Sequence, residues 1–346
     1  MKKMMLFSTI AILILSIVLA ACQPQAATQE EIVTEETEQE AEVREIFIAF
    51  EVDNLDEATN THTEAAKACI EEVNAERDDI HITYEVTDAQ NNVESQISSM
   101  EAWILKGADL ILFTYVDVEA AKPLVKAARD EGILIVDIRN LEDEDLVDLV
   151  YYGNDEPTFA TMMTSWLETY LQDNPEVVLN AGLIYGLATQ FPQLIRIDLV
   201  KDLAEKYPDQ INILVEANGD WDPAKAQAIT EDWLQAFPDM NYIHVGNTGM
   251  ATGVTTALEG AGKTDDFLVA ANDLSDSAIQ MLYDGQMDVV TGALFSDFGC
   301  GYIKAAVALL DGEVTEKAWN KVIPYAVDAS NLEDFLANKW DGKQPE

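Results

Sequence analysis

The chain has 346 residues, with 20 Lys and Arg against 64 Asp and Glu, a formal net charge of −44 at pH 7. That balance excludes nucleic acid as a partner, because no basic face exists to neutralise phosphates. Three cysteines exclude a multi-bridge disulfide framework, and three isolated histidines without metal-ligand spacing leave no metal or cofactor to expect. The acidic residues run along the whole chain, which reads as a solvated surface suited to salty or alkaline surroundings rather than as a cation site.

Lys2 and Lys3 precede an apolar stretch, Met4 to Ala20, broken only by Ser8, Thr9 and Ser16. It is short for a membrane span and fits a secretory signal that ends in small residues. Leu19-Ala20-Ala21-Cys22 resembles a bacterial lipobox, so residues 1–21 read as a leader and Cys22 as the lipidated first residue of the mature chain. An ordinary signal peptide or an anchor helix is the plainer alternative. Residues 22–43 read as a tether: Gln23 to Val43 carries seven Glu and no Lys or Arg, too polar to bury a core and extended by its own charge. Beyond it stand roughly 300 residues, enough for two lobes with separate cores. Cys69 and Cys300 can form one bridge outside the cytoplasm, but two buried free thiols are the expectation.

In chain order, "IFIAF" (46–50) reads as a buried strand and "HITYEV" (81–86) as the next, ending in "TDAQNN". Val93, Ile97, Met100 and Ile104 then recur at helical spacing. "ADLILF" is a third strand, followed by a helix with Asp117 as its N-cap and Gly132 at its stop, and "ILIVDI" (133–138) is a fourth strand. The pattern restarts with strands at "LNAGLIYG" (179–186), "INILVEA" (211–217), "NYIHVG" (241–246) and "DFLVAAND" (266–273). Asp222 caps the helix that Pro223 opens, where the missing N–H costs nothing. Alternation of this kind requires parallel strands with helices on both faces, an α/β chain of two doubly wound halves.

Ligands of such sheets bind beyond the carboxyl ends of the strands. The first half offers Asp53 and Asn54, Asp88 to Asn91, Thr114 and Tyr115, and Asp137 to Asn140, which includes Arg139; the second half offers Trp221, Asn247 and Asp273. Acids and amides bond hydroxyls and a flat ring covers a C–H face, so the set suits a neutral polyhydroxylated ligand. No nucleophile elbow, phosphate loop or zinc signature accompanies it, and the expectation is that the protein is not an enzyme.

"TDAQNNVESQISSMEAWILKGADLILF", "NGDWDPAKAQAITEDWLQAFPDMNYIHVGNTGMATGVTTALEGAG" and "FLVAANDLSDSAIQMLYDGQM" together resemble the type I periplasmic binding proteins, the ribose- and galactose-binding branch that serves ABC importers. The likeness runs from about Ile46 to about Leu332. It implies two parallel-sheet lobes joined by a three-strand hinge with crossings near Gly153, Leu294 and Ile323. The lobes would be residues 44–152 plus 295–323 and residues 153–294 plus 324–346. It further implies that Trp221 covers a sugar face at the cleft rim, that Asn247 and Asp273 bond hydroxyls unless they cap the helices that follow them, and that Arg196 lies near a second-lobe arginine of the family.

Two departures stand out. "EVDNLDEATN" lacks the aromatics common after the first strand, and "VDIRN" puts Asp137 and Arg139 out of the usual Asp-Arg register. The resemblance implies a monomeric lipoprotein that hands a small polar ligand, a sugar or polyol, to an ABC permease. The alternative is a sensor presenting its bound form to a receptor kinase or chemoreceptor.

Overall fold

The computed structural model describes residues 43–138, 145–151, 156–314, 317–319 and 322–346. The leader, Cys22, the tether up to residue 42, Arg139, Asn140 and Gly153 lie outside these residues.

The first run of elements is β1 (Arg44–Val52), α1 (Glu57–Glu76), β2 (Ile80–Asp88), α2 (Val93–Lys106), β3 (Leu110–Phe113), α3 (Val118–Asp130), β4 (Leu134–Asp137) and β5 (Leu149–Tyr151). The second is α4 (Glu156–Asp173), β6 (Leu179–Tyr185), α5 (Phe191–Lys206), β7 (Ile211–Asn218), α6 (Pro223–Ala236), β8 (Tyr242–Val245), α7 (Thr248–Gly260), β9 (Leu268–Asn272), α8 (Asp276–Tyr283) and β10 (Val289–Gly292). The chain ends with α9 (Phe295–Leu310), β11 (Ala318–Trp319), β12 (Tyr325–Asp328) and α10 (Leu332–Asn338).

Among the described residues the strands form two six-stranded sheets, ordered β11-β5-β4-β3-β1-β2 and β12-β10-β9-β8-β6-β7. All pairings are parallel except β10 with β12. The continuous apolar run of β3, and that of β8 interrupted by His244, follow from burial on both faces. Each sheet carries a core on either side. In the first lobe one core joins Ile48, Phe50, Leu110 and Tyr302, and the other joins Met100, Trp103, Ile111 and Tyr115. In the second lobe one joins Trp221, Trp233, Met250 and Leu282, and the other joins Leu167, Leu183, Val200 and Tyr242.

Helix starts obey local chemistry. The side chains of Asp56, Asn92, Asp117, Asp222, Asn247 and Ser275 accept backbone N–H groups of the first turns of α1, α2, α3, α6, α7 and α8. No helix among the described residues is long and apolar enough to cross a membrane.

The expectation of free thiols fails. Cys69 on α1 and Cys300 on α9 form a disulfide across 231 residues of sequence. Both helices lie on one face of the first sheet, and sequence gives no measure of that proximity. The bridge ties the start of the first lobe to the segment that returns to it after β10.

Candidate ligand-binding site

The two sheets present their strand ends to one another, and among the described residues five side-chain hydrogen bonds cross between the lobes. The loop after β6 supplies three of them. Thr189 Oγ1 donates to the Val116 carbonyl (2.9 Å). Gln190 Nε2 donates to Asp53 Oδ2 and to the Tyr115 carbonyl, both at 2.8 Å. Its Oε1 accepts the indole N–H of Trp221 at 2.6 Å, so Gln190 links the first lobe's Asp53 to the second lobe's Trp221. The remaining contact, of two bonds, joins the backbone N–H and Oγ of Ser277 to the Glu57 carboxylate. Near it, Asp56 to Ala58 face Asn247 to Gly249, Asp273 and Ser275 across a crevice of about 10 Å³, room for about one water.

On the first-lobe wall Asp53 is fully buried, and Thr114 Oγ1 donates to its Oδ1 (2.9 Å). Asn54 is half-buried, and its carbonyl accepts from Thr59 (2.5 Å). Asp137 is buried at the end of β4. Gln90 and Asn91 both adopt left-handed φ values, 54° and 55°, and the Oδ1 of Asn91 is buried without a hydrogen-bond partner. Tyr115 departs from its expected place. It is fully buried in the core with Met100 and Phe113, and the atom that meets Gln190 is its carbonyl oxygen.

On the second-lobe wall Trp221 also departs from expectation, being only 6 % exposed rather than at a rim. It follows Asp220 in a left-handed turn, with φ 54° and 61°. A Cβ added to Gly186 would lie 2.0 Å from Trp221 Cζ2, and one on Gly246 would lie 3.1 Å from Cζ3. The indole therefore rests on two glycines at the ends of β6 and β8. Asn247 does cap α7, accepting the N–H of Met250 (2.9 Å). Asp273 does not cap α8, a task Ser275 performs. Instead Asp273, in the left-handed region at φ 78°, receives both terminal nitrogens of Arg196 at 3.0 Å.

Arg196 is buried and also donates to the Gly246 carbonyl (2.8 Å). A bidentate pair of this kind compensates the burial of its charge and fixes the carboxylate's direction. Its backbone is held from behind. Tyr242 Oη and His244 Nδ1 are 3.0 Å apart, and His244 Nε2 lies 3.2 Å from the Arg196 carbonyl. Burial first, and the neighbouring guanidinium second, hold the His244 pKa down to about 4. The neutral ring accepts from Tyr242 and donates to Arg196. Behind Asp53, the side chain of Glu51 is fully buried and accepts from Thr87, and desolvation pushes its pKa up to about 7.

The sequence reading named Asp53, Asn54, Asp137, Asn247, Asp273 and Arg196 at strand ends or on the second wall; in the structure Asp53 bonds Gln190 of the second lobe, Asn247 and Asp273 line the crevice between the lobes, Arg196 holds Asp273, Asp137 ends β4 and Asn54 follows β1. It missed Gln190, Thr189 and Glu57. Each is a polar residue in a loop or first helical turn, and nothing local marks it as crossing to another lobe.

The family described as periplasmic binding protein domain matches residues 55–314, most of the chain. A D-ribose/D-allose-binding protein of Pseudomonas aeruginosa is 27 % identical over 244 residues, covering 69 % of this chain and 75 % of that protein. The structure of an ABC transporter solute-binding protein from Bacillus halodurans C-125 with bound myo-inositol superposes with a TM-score of 0.75 at 24 % identity, covering 85 % of this chain and 98 % of that one. The fructose-binding periplasmic domain of a hybrid two-component system has a TM-score of 0.74 at 17 % identity, covering 84 % and 93 %. With the two parallel-sheet lobes and the polar strand ends between them, these matches establish that the chain belongs to the periplasmic binding protein family, in its type I form, as a solute-binding protein rather than an enzyme.

Proposed function

We propose that the protein captures a neutral polyhydroxylated ring, a sugar or cyclic polyol, outside the cytoplasm and delivers it to an ABC importer. The observation that carries this reading is the composition of the facing strand ends: Asp53, Asn91, Asn247 and Asp273, with Trp221 beside them and Arg196 fixing Asp273. Carboxylates and amides bond hydroxyls, and the buried, unpartnered Oδ1 of Asn91 is an acceptor that a ligand hydroxyl would satisfy. Asn54, Asp137 and Arg139 complete the proposed ligand set; Tyr115 enters it through its carbonyl. The names of the relatives support the ligand class: D-ribose and D-allose for one, myo-inositol for another.

The likeness in fold supports closure by hinge motion at the crossings between the lobes, including the one between β10 and α9. Attachment to the membrane through a lipid on Cys22 rests on the Leu19-Ala20-Ala21-Cys22 sequence. Cys22→Ser should then release the protein from membranes or block its processing. The likeness to a two-component sensor domain supports a second reading, signalling to a kinase. The gene neighbourhood discriminates the two: permease and ATPase genes beside this one would favour import, and a kinase gene would favour sensing.

The test is a thermal-shift panel of D-ribose, D-allose, myo-inositol and xylitol. A ligand at 100 times its Kd adds about 2.7 kcal/mol and visibly raises the melting temperature. No shift with any of the four at millimolar concentration would count against the ligand class.

A further inference from the structure

We infer that Glu57 is a closure residue that sets affinity without touching the ligand, a reading that rests on the function proposed above. Glu57 is the first residue of α1 in the first lobe, and Ser277 lies in the first turn of α8 in the second. The Glu57 carboxylate accepts two bonds across the gap: from the Ser277 backbone N–H to Oε1 (3.1 Å) and from Ser277 Oγ to Oε2 (2.5 Å).

The receiving end is built for this. The first N–H groups of a helix have no partner within it and carry the positive end of its dipole. Ser275 Oγ takes the Ala278 N–H (3.1 Å) and lies 2.9 Å from Ser277 Oγ. The helix's own acid, Asp276, is occupied elsewhere: its Oδ1 accepts the Lys343 N–H at 2.8 Å. The Ser277 N–H is thereby left to Glu57, which completes from the opposite lobe the capping of α8.

The surroundings explain why a specific bond is needed here. Beside the contact, Thr61, Glu64 and Ala65 of α1 face Asp276, Trp340, Asp341 and Gly342 across a crevice of about 250 Å³. Acids line both walls, so bringing the lobes together sets like charges against each other. Glu57 turns one of these acids into an attraction by placing it on amide and hydroxyl protons. Opening the lobes returns that carboxylate and the end of α8 to water. The bond therefore belongs to the joined arrangement alone, and it raises the population of that arrangement for any ligand.

The experiment compares the wild type with Glu57→Ala, Glu57→Gln and Ser277→Ala. Stopped-flow and calorimetric titration with D-allose and with myo-inositol give rates and affinities, and small-angle scattering gives the radius of gyration without sugar. Glu57→Ala should raise the dissociation rate and weaken each sugar by roughly 3- to 10-fold, the size of a helix-end charge interaction with its hydrogen bonds. The ratio of the two affinities should stay unchanged, the radius of gyration should rise, and the melting temperature without sugar should hold. Glu57→Gln, which keeps one of the two acceptor oxygens, should recover part of the loss. Unchanged rates and dimensions in Glu57→Ala would overturn the proposal. So would a changed affinity ratio, which would put Glu57 on the ligand, or a matching fall in sugar-free stability, which would make it structural. If the wild type binds neither sugar, the ligand class fails, and the scattering comparison still decides whether Glu57 holds the lobes.

Discussion

Glu51, Asp53 and Thr114 at the strand ends of the first lobe occupy the places that Ile184, Gly186 and Gly246 occupy in the second. Three backbone bonds correspond. Ala89 N–H to Val52 O matches Gly219 N–H to Tyr185 O; Asn92 N–H to Ala89 O matches Asp222 N–H to Gly219 O; and Thr114 N–H to Glu51 O matches Gly246 N–H to Ile184 O. Both turns then carry two consecutive left-handed residues, Gln90-Asn91 and Asp220-Trp221. One backbone thus serves two fillings. Where the second lobe uses glycines to seat an indole, the first uses a carboxylate, a hydroxyl and a small amide. Gln190 joins the two, bonding Asp53 on one side and Trp221 on the other. The fold dictates where the walls stand, and single residues decide which wall is polar and which is flat.

The largest expected effect breaks the flat wall. Trp221→Ala removes a buried indole and the N–H it donates to Gln190 Oε1, and should cost about 3–5 kcal/mol in urea unfolding together with ligand affinity. A loss under about 1 kcal/mol would mean that the indole is not part of the second lobe's core.

The next separates the lobes by pH. The Glu51 pKa lies above its unfolded value, so its folded state binds the extra proton. Stability is full below about pH 4.5 and is lost as pH rises through about 7. The His244 pKa lies below its unfolded value, so its contribution is present above about pH 6.5 and is lost as pH falls through about 4. Glu51→Gln should therefore stabilise the protein at pH 8, on the order of 3 kcal/mol, and give no gain at pH 4.5. Melting curves of both proteins across this range check it; a gain of equal size at both pH values would remove the carboxyl from the explanation.

The disulfide has no counterpart among the described residues of the second lobe. Reduction, or paired Cys69→Ser and Cys300→Ser, should cost about 2–4 kcal/mol. Hydrogen exchange should quicken in α1 and α9 before α6 and α7. Uniform loss of protection in both lobes would show that they unfold as one unit.

The smallest effect on stability falls on the polar counterpart of Trp221. Asn91→Gly suits the left-handed backbone and deletes an unpartnered oxygen, so unfolding should change by less than about 1 kcal/mol. Sugar affinity should fall by about 10-fold if that oxygen accepts a ligand hydroxyl. An unchanged affinity would leave the first wall to Asp53 and Thr114.

What was legible in the sequence follows the range of the interactions. Strands and helices could be read because apolar runs, Asp117, Asp222 and Pro223 act within a few residues of themselves. The residues at the strand ends could be read because each apolar run stops at a polar residue. Tyr115 was misplaced because a strand-end aromatic looks the same whether its ring turns to the cleft or to the core. Trp221 was put at a rim because its burial depends on Gly186, 35 positions earlier, and on Gly246. Gln190, Glu57 and the disulfide were out of reach for one reason: each acts on a partner more than 130 residues away or in the other lobe.

The disulfide and the strand β11 also set an order of assembly. The first lobe opens the chain, yet its sheet is completed by β11 pairing with β5, and α1 finds its packing partner only in α9. As the chain emerges from a ribosome or a membrane pore, Cys69 must wait for Cys300 before it can be oxidised to its mate. The lobe made first is completed only near the end of the chain, with β12 and α10 of the second lobe still to follow, and contacts so distant in sequence form slowly. A chain arranged in this way cannot complete either sheet until nearly all of it has arrived.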